Sequence, residues 1–145
     1  MVTLLRMLAL ALVVGVASIA HADISPPPPP TLRVVRVVAG EGSSAAPSEV
    51  VRVVNAARDA LRLGLHRMNE CMLDHEWRWD GGPPARAQLR LTWDGGPTPS
   101  EASIVSSTFS RALTPCITAV LSRLTVSPAP VGRVLVGATL LREPR

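Results

Sequence analysis

The pentapeptide Trp79-Asp80-Gly81-Gly82-Pro83 recurs as Trp93-Asp94-Gly95-Gly96-Pro97, and what lies around this echo constrains the fold most. Asp-Gly is a strong reversal signal, because glycine and aspartate accept the backbone angles that tight turns require. Between the two turns Ala85, Ala87, Leu89, Leu91 and Trp93 alternate with Arg86, Gln88, Arg90 and Thr92. That period of two predicts a strand with one buried face and one wet face. After the second turn, residues 101–106 supply a return strand, with Pro99 confined to its start or to an edge because it lacks an amide donor. The chain thus contains an antiparallel hairpin whose apolar face must be covered by another layer.

The flanking segments provide that layer. Residues 49 to about 75 carry apolar residues at Val50, Val54, Leu61, Leu65, Met68 and Met72, broadened by Val53, Ala57 and Cys71. This is the stripe of an amphipathic helix, with Ser48 as its expected cap. Gly64 weakens the helix by about 1 kcal/mol relative to alanine. Thr114-Pro115 predicts a second helix start, followed by Cys116, Ile117, Val120, Leu121 and Leu124 at helical spacing. Strands are expected at residues 31–38, rich in β-branched side chains after a run of prolines, and at residues 131–141. The predicted class is α+β, with a small antiparallel sheet packed as one layer against two helices, plus an N-terminal strand. Pro26 to Pro30 form a short polyproline segment, read as a stiff spacer of about 15 Å.

Residues 1–22 read as a cleavable secretory signal. Arg6 precedes an apolar run over residues 7–17, and Ala20 and Ala22 give the small-residue cleavage pattern, leaving Asp23 as the new N-terminus. The run is shorter than the roughly 18–20 residues that span a bilayer. The alternative is an uncleaved anchor, lengthened by Leu4 and Leu5 if Arg6 snorkels. The remaining 123 of 145 residues suffice for one modest core. Residues 23–47 are assigned to spacer, N-terminal strand and loop, and 48–142 to the domain proper. In an exported chain, the two cysteines, Cys71 and Cys116, are expected to pair as a disulfide between the helices. Every basic residue is arginine; without Arg6, 14 arginines face 11 acids, a net charge of +3. So mild a balance, with arginines scattered along the chain, argues against nucleic acid as partner and for solvated surface.

The stretch from about residue 49 to 141 resembles the AgmX/PglI C-terminal domain family, myxobacterial relatives of the TonB C-terminal domain. Cys71 carries the resemblance, with Leu89-Arg90-Leu91-Thr92-Trp93-Asp94-Gly95-Gly96, Ile104-Val105-Ser106-Ser107-Thr108, Cys116-Ile117 and Val126-Ser127-Pro128-Ala129-Pro130. Met72 stands where the family commonly has tyrosine, and Val126-Ser127-Pro128 where it has Phe-Pro. The resemblance implies a TonB C-terminal-like envelope domain, periplasmic or secreted, that binds a partner protein by adding a strand to an exposed sheet edge. The last strand is the first choice for that edge, with Val131, Arg133, Leu135, Gly137 and Thr139 as contact residues. The N-terminal strand, residues 32–38, is the element that would block it.

Other chemistry competes with this reading. Met68, Met72 and His75 share one helix face with Cys71 beside them, a set suited to a soft ion such as Cu(I). Methionines at helical spacing are more often core. Trp77, Trp79 and Trp93 invite comparison with a glycan-stacking platform, although alternation places Trp93 on the core face. No enzyme constellation is present: Ser106-Ser107-Thr108 lacks a nucleophile-elbow context, and Asp74, His75 and Glu76 have no nucleophile or metal cluster beside them. No cofactor motif occurs in the sequence. The expectation is a non-enzymatic interaction module for an unidentified envelope protein, with no stable membrane anchor once the signal is removed.

Overall fold

The computed structural model describes residues 31–76 and 85–143. Six elements follow in the order β1 (Thr31–Ala39), α1 (Pro47–Glu76), β2 (Ala85–Asp94), β3 (Glu101–Ser107), α2 (Leu113–Leu121) and β4 (Arg133–Glu143). The four strands form one sheet in the order β1-β4-β2-β3, antiparallel throughout. Both helices lie on the same face, α1 against β1 and α2, and α2 against β3. The expected two-layer α+β architecture is therefore the observed one. The signal segment, the polyproline run and the first copy of the turn echo lie outside the described residues.

The core forms where the helical stripes meet the inward residues of the strands. Val53, Leu61, Met68 and Met72 of α1 and Leu113, Ile117 and Leu121 of α2 are buried against Leu91, Trp93, Val134, Val136 and Leu140. Each fully buried leucine contributes about 1.5–3 kcal/mol of transfer free energy. Trp93, on the core face as its alternation predicts, is fully buried. Its indole Nε1–H donates to the carbonyl of Pro97 at 3.2 Å, and the Val126 amide donates to the same oxygen at 2.8 Å. The β2–β3 turn is thereby tied to the segment that leads into β4. Gly95 in that turn has φ +80°, which a residue with a Cβ adopts only under strain.

Both helix starts differ from expectation. The first helical hydrogen bond runs from Val50 N–H to Ala46 O at 3.0 Å. Pro47 therefore takes the first helical position, where its missing amide costs nothing, and Ser48 lies inside the first turn. The second helix begins before Thr114, with Ala112 at the cap position and no side-chain cap; Leu124 lies beyond its end yet remains buried. The sheet also takes in β1, which pairs with β4 from Thr31 opposite Glu143 to Ala39 opposite Val136. The N-terminal strand, placed by sequence ahead of the domain proper, is thus part of the sheet.

Candidate functional site

Cys71 Sγ and Cys116 Sγ are bonded at 2.05 Å, with their Cα atoms 5.9 Å apart. The bond joins the last third of α1 to the first turn of α2, as their sequence positions predicted. With a sequence separation of 45, the chain-entropy estimate for such a closed loop is about 4 kcal/mol. Two turns earlier in α1, Gly64 packs against the end of α2 and the segment after it: a Cβ there would lie 3.0 Å from Leu124 Cδ2 and 3.7 Å from Val120 Cγ1. The weak point in the helix is thus a contact point between helices.

The expected partner edge is corrected. β4 lies inside the sheet, between β1 and β2. Gly137 stands opposite Val38 and Arg90, and Thr139 opposite Arg36 and Gln88. Where β1 ends, the chain turns along β4 and continues the pairing: Gly40 N–H donates to Leu135 O at 2.8 Å and Ser44 N–H to Arg133 O at 2.9 Å. The amides of Leu135, Arg133 and Val131 donate to Ser43 Oγ, Ser44 Oγ and Glu49 Oε1. None of Val131, Arg133, Leu135, Gly137 and Thr139 offers a free ladder position. Two antiparallel neighbours satisfy the backbone of β4, and edge addition needs unpaired groups.

Among the described residues the sheet's edges are β1 and β3, and they differ. Helix α1 reaches over β1: the Leu32 amide donates to Asn69 Oδ1 at 2.7 Å, and Arg58 Nη2 donates to Val37 O at 3.4 Å. No corresponding side-chain bond runs from a helix to the backbone of β3 among the described residues. The bonds that end β3 hold it to β2 instead, with Ser100 N–H donating to Thr92 O and Thr108 N–H to Arg86 O. Each edge strand carries one extra residue against its partner, Val35 in β1 and Val105 in β3, and both valines are exposed. Such bulges are a common means of discouraging indiscriminate edge pairing.

The remaining sequence candidates separate. Met68 and Met72 face the core, Cys71 is bonded to Cys116, and His75 is exposed at the end of α1. The thiolate that a Cys71-dependent copper site needs is therefore not available. Among the described residues no group of three or more His, Cys, Asp or Glu side chains comes together. Trp93 is buried and cannot stack on a ligand, while Trp77 and Trp79 lie outside the described residues. Ser107 Oγ accepts the Phe109 amide at 2.8 Å, and Thr108 Oγ1 accepts that of Arg86 at 2.9 Å, so these hydroxyls shape the exit from β3.

The arginines, scattered along the sequence, converge in space. The sheet face turned away from the helices carries Arg33 and Arg36 from β1, Arg133 from β4, and Arg86 and Arg90 from β2. The signal in the sequence was the alternation that places Arg86 and Arg90 on the wet face of β2. Strand order, which the sequence does not state, brings Arg36 to the same surface. Arg142 belongs to the opposite face: it is buried, its guanidinium stands 6.0 Å from the Phe109 ring centre, and desolvation lowers its pKa. Among the described residues no helix is long and apolar enough to cross a membrane. Compared with protein families, with curated proteins and with solved structures, the chain matches none.

Proposed function

We propose that this chain is an exported, non-enzymatic interaction module of the cell envelope, stapled by Cys71–Cys116, whose partner adds a strand along β3. The observation that carries the reading is the inequality of the two edges: α1 occupies backbone groups of β1, whereas β3 turns its outer side away from such contacts. A strand added beside residues 101–104, ahead of the bulge at Val105, would extend the ladder. The signal-like segment and the resemblance to the AgmX/PglI family support the envelope setting. In that relationship the edge moves from the last strand to β3, because β1 covers β4.

The test is site-specific photo-crosslinking in the exporting cell, with a photoreactive residue at Ser103 or at Leu135. The expected result is a discrete protein adduct from Ser103 and none from Leu135. No adduct from Ser103, or equal capture at both sites, rejects β3 as the binding edge. N-terminal sequencing of the same exported protein is expected to begin at Asp23; a chain that retains residues 1–22 rejects cleavage.

A further inference from the structure

The outer sheet face divides its charge between two ends. Three cross-strand rows follow from the register. Val38, Gly137, Arg90 and Ser103 form the first; Arg36, Thr139, Gln88 and Ser106 the second; Arg33, Leu141 and Arg86 the third. Among the described residues these rows hold no carboxylate. Asp94 stands opposite Arg133 at the other end, Glu101 lies opposite Thr92 one row beyond Arg90, and Glu41 lines a concavity beside Arg90. Arg36, Arg86 and Arg90 are exposed and meet no carboxylate among the described residues.

The surface is also grooved. Because Gly137 has no side chain, two concavities of about 480 and about 210 Å³ adjoin over it, sharing Gln88, Leu89 and Gly137. Arg90 lines the larger and Arg36 the smaller. With neighbouring strands about 4.8 Å apart and about 3.3 Å per residue, Arg36 stands roughly 10 Å across the sheet from Gln88, and Arg86 roughly 13 Å along β2 from Arg90. No single small anion spans those separations, so the complementary ligand repeats its charges along a chain.

The groups between the arginines indicate which chain. Gln88, Thr139, Ser103 and Ser106 offer amide and hydroxyl partners, suited to a hydroxylated ligand. A peptide laid across this face would find its own backbone amides without partners, since the strands beneath have already paired theirs. A bilayer surface is normally gripped by aromatic or long apolar anchors; the exposed large apolar residues of the strands are the short valines Val35, Val38 and Val105, with no exposed aromatic among the described residues. We infer that the outer sheet face binds a linear acidic polysaccharide, its carboxylates on Arg36, Arg86 and Arg90 and its hydroxyls on the polar side chains between them. Guanidinium groups engage carboxylates through paired, charge-assisted hydrogen bonds.

This surface uses the Ser103 and Ser106 side chains of β3 but none of the backbone groups on its outer edge, so binding of a polysaccharide and addition of a strand are tested by different readouts. The test is binding of oxidised protein spanning residues 23–145 to polygalacturonate, with dextran, polyglutamate and anionic phospholipid vesicles as parallel probes. Binding to polygalacturonate that weakens with salt and falls at least tenfold in Arg36→Glu and Arg90→Glu, but not in Arg67→Glu on the helix side, is the expected result. Absence of binding overturns the inference. So does an equal loss in Arg67→Glu, which would reveal net charge alone, or equal or stronger binding to polyglutamate or vesicles. Unchanged circular dichroism in each variant assigns a loss to the surface and not to unfolding.

Discussion

Glu49 links the first turn of α1 to the approach of β4 through one carboxylate. Arg52 donates to it at 2.6 and 2.9 Å, and the Val131 amide at 2.9 Å. The Arg52 hydrogen bonds first, and the Val131 amide second, hold its pKa at about 2, below the usual 4.5. The sign follows from linkage: a carboxylate more acidic in the folded state stabilises that state above about 4.5, and the contribution is lost as pH falls from there towards 2. The acid limb of a stability–pH profile is therefore expected to flatten in Glu49→Gln between those values; an unchanged limb would show that the pairing contributes nothing. The sequence did not single out Glu49, since its partner at Val131 lies 82 residues away. Trp93 was legible for the opposite reason, because strand alternation alone determines its side. Gly64 was legible as a local cost, but the 3.0 Å approach to Leu124 that explains it depends on how two helices pack.

At the scale of elements, period and turn chemistry identified all six segments, because amphipathic stripes and Asp-Gly turns are local properties. Helix starts were less legible: Ser48 and Thr114 have good capping chemistry, yet each helix begins earlier because packing and Pro47 favour it. Strand order was not legible. β4 is last in sequence but interior in space, and pairing β1 with it, over the distance of almost the whole chain, leaves no local pattern. The disulfide was legible because two cysteines in a chain read as exported leave one intramolecular pairing. Replacing both with alanine is expected to lower unfolding free energy by roughly 3–4 kcal/mol, the loop-entropy scale. Urea titration measures this; a loss below about 1 kcal/mol would mean that helix packing alone holds α1 to α2.

The described residues present two unlike surfaces, a helical side with the staple and a sheet side with the arginine rows. The sequence supported a neutral expectation for its arginines, because their separation along the chain hides their adjacency in the sheet. One consequence follows from the pairing of the first described strand with the last. Thr31 and Glu143 face each other across β1 and β4, so the fold is close to a closed ring interrupted at one point. A short linker between those residues would complete the ring, and new ends could be opened at Gly95-Gly96. Folds whose ends meet usually tolerate such a circular permutation. The permuted chain is expected to form the Cys71–Cys116 bond and to unfold cooperatively. Its entry and exit would then leave from the β2–β3 turn, making the domain a cassette that can be inserted into a host loop without separating the loop's ends.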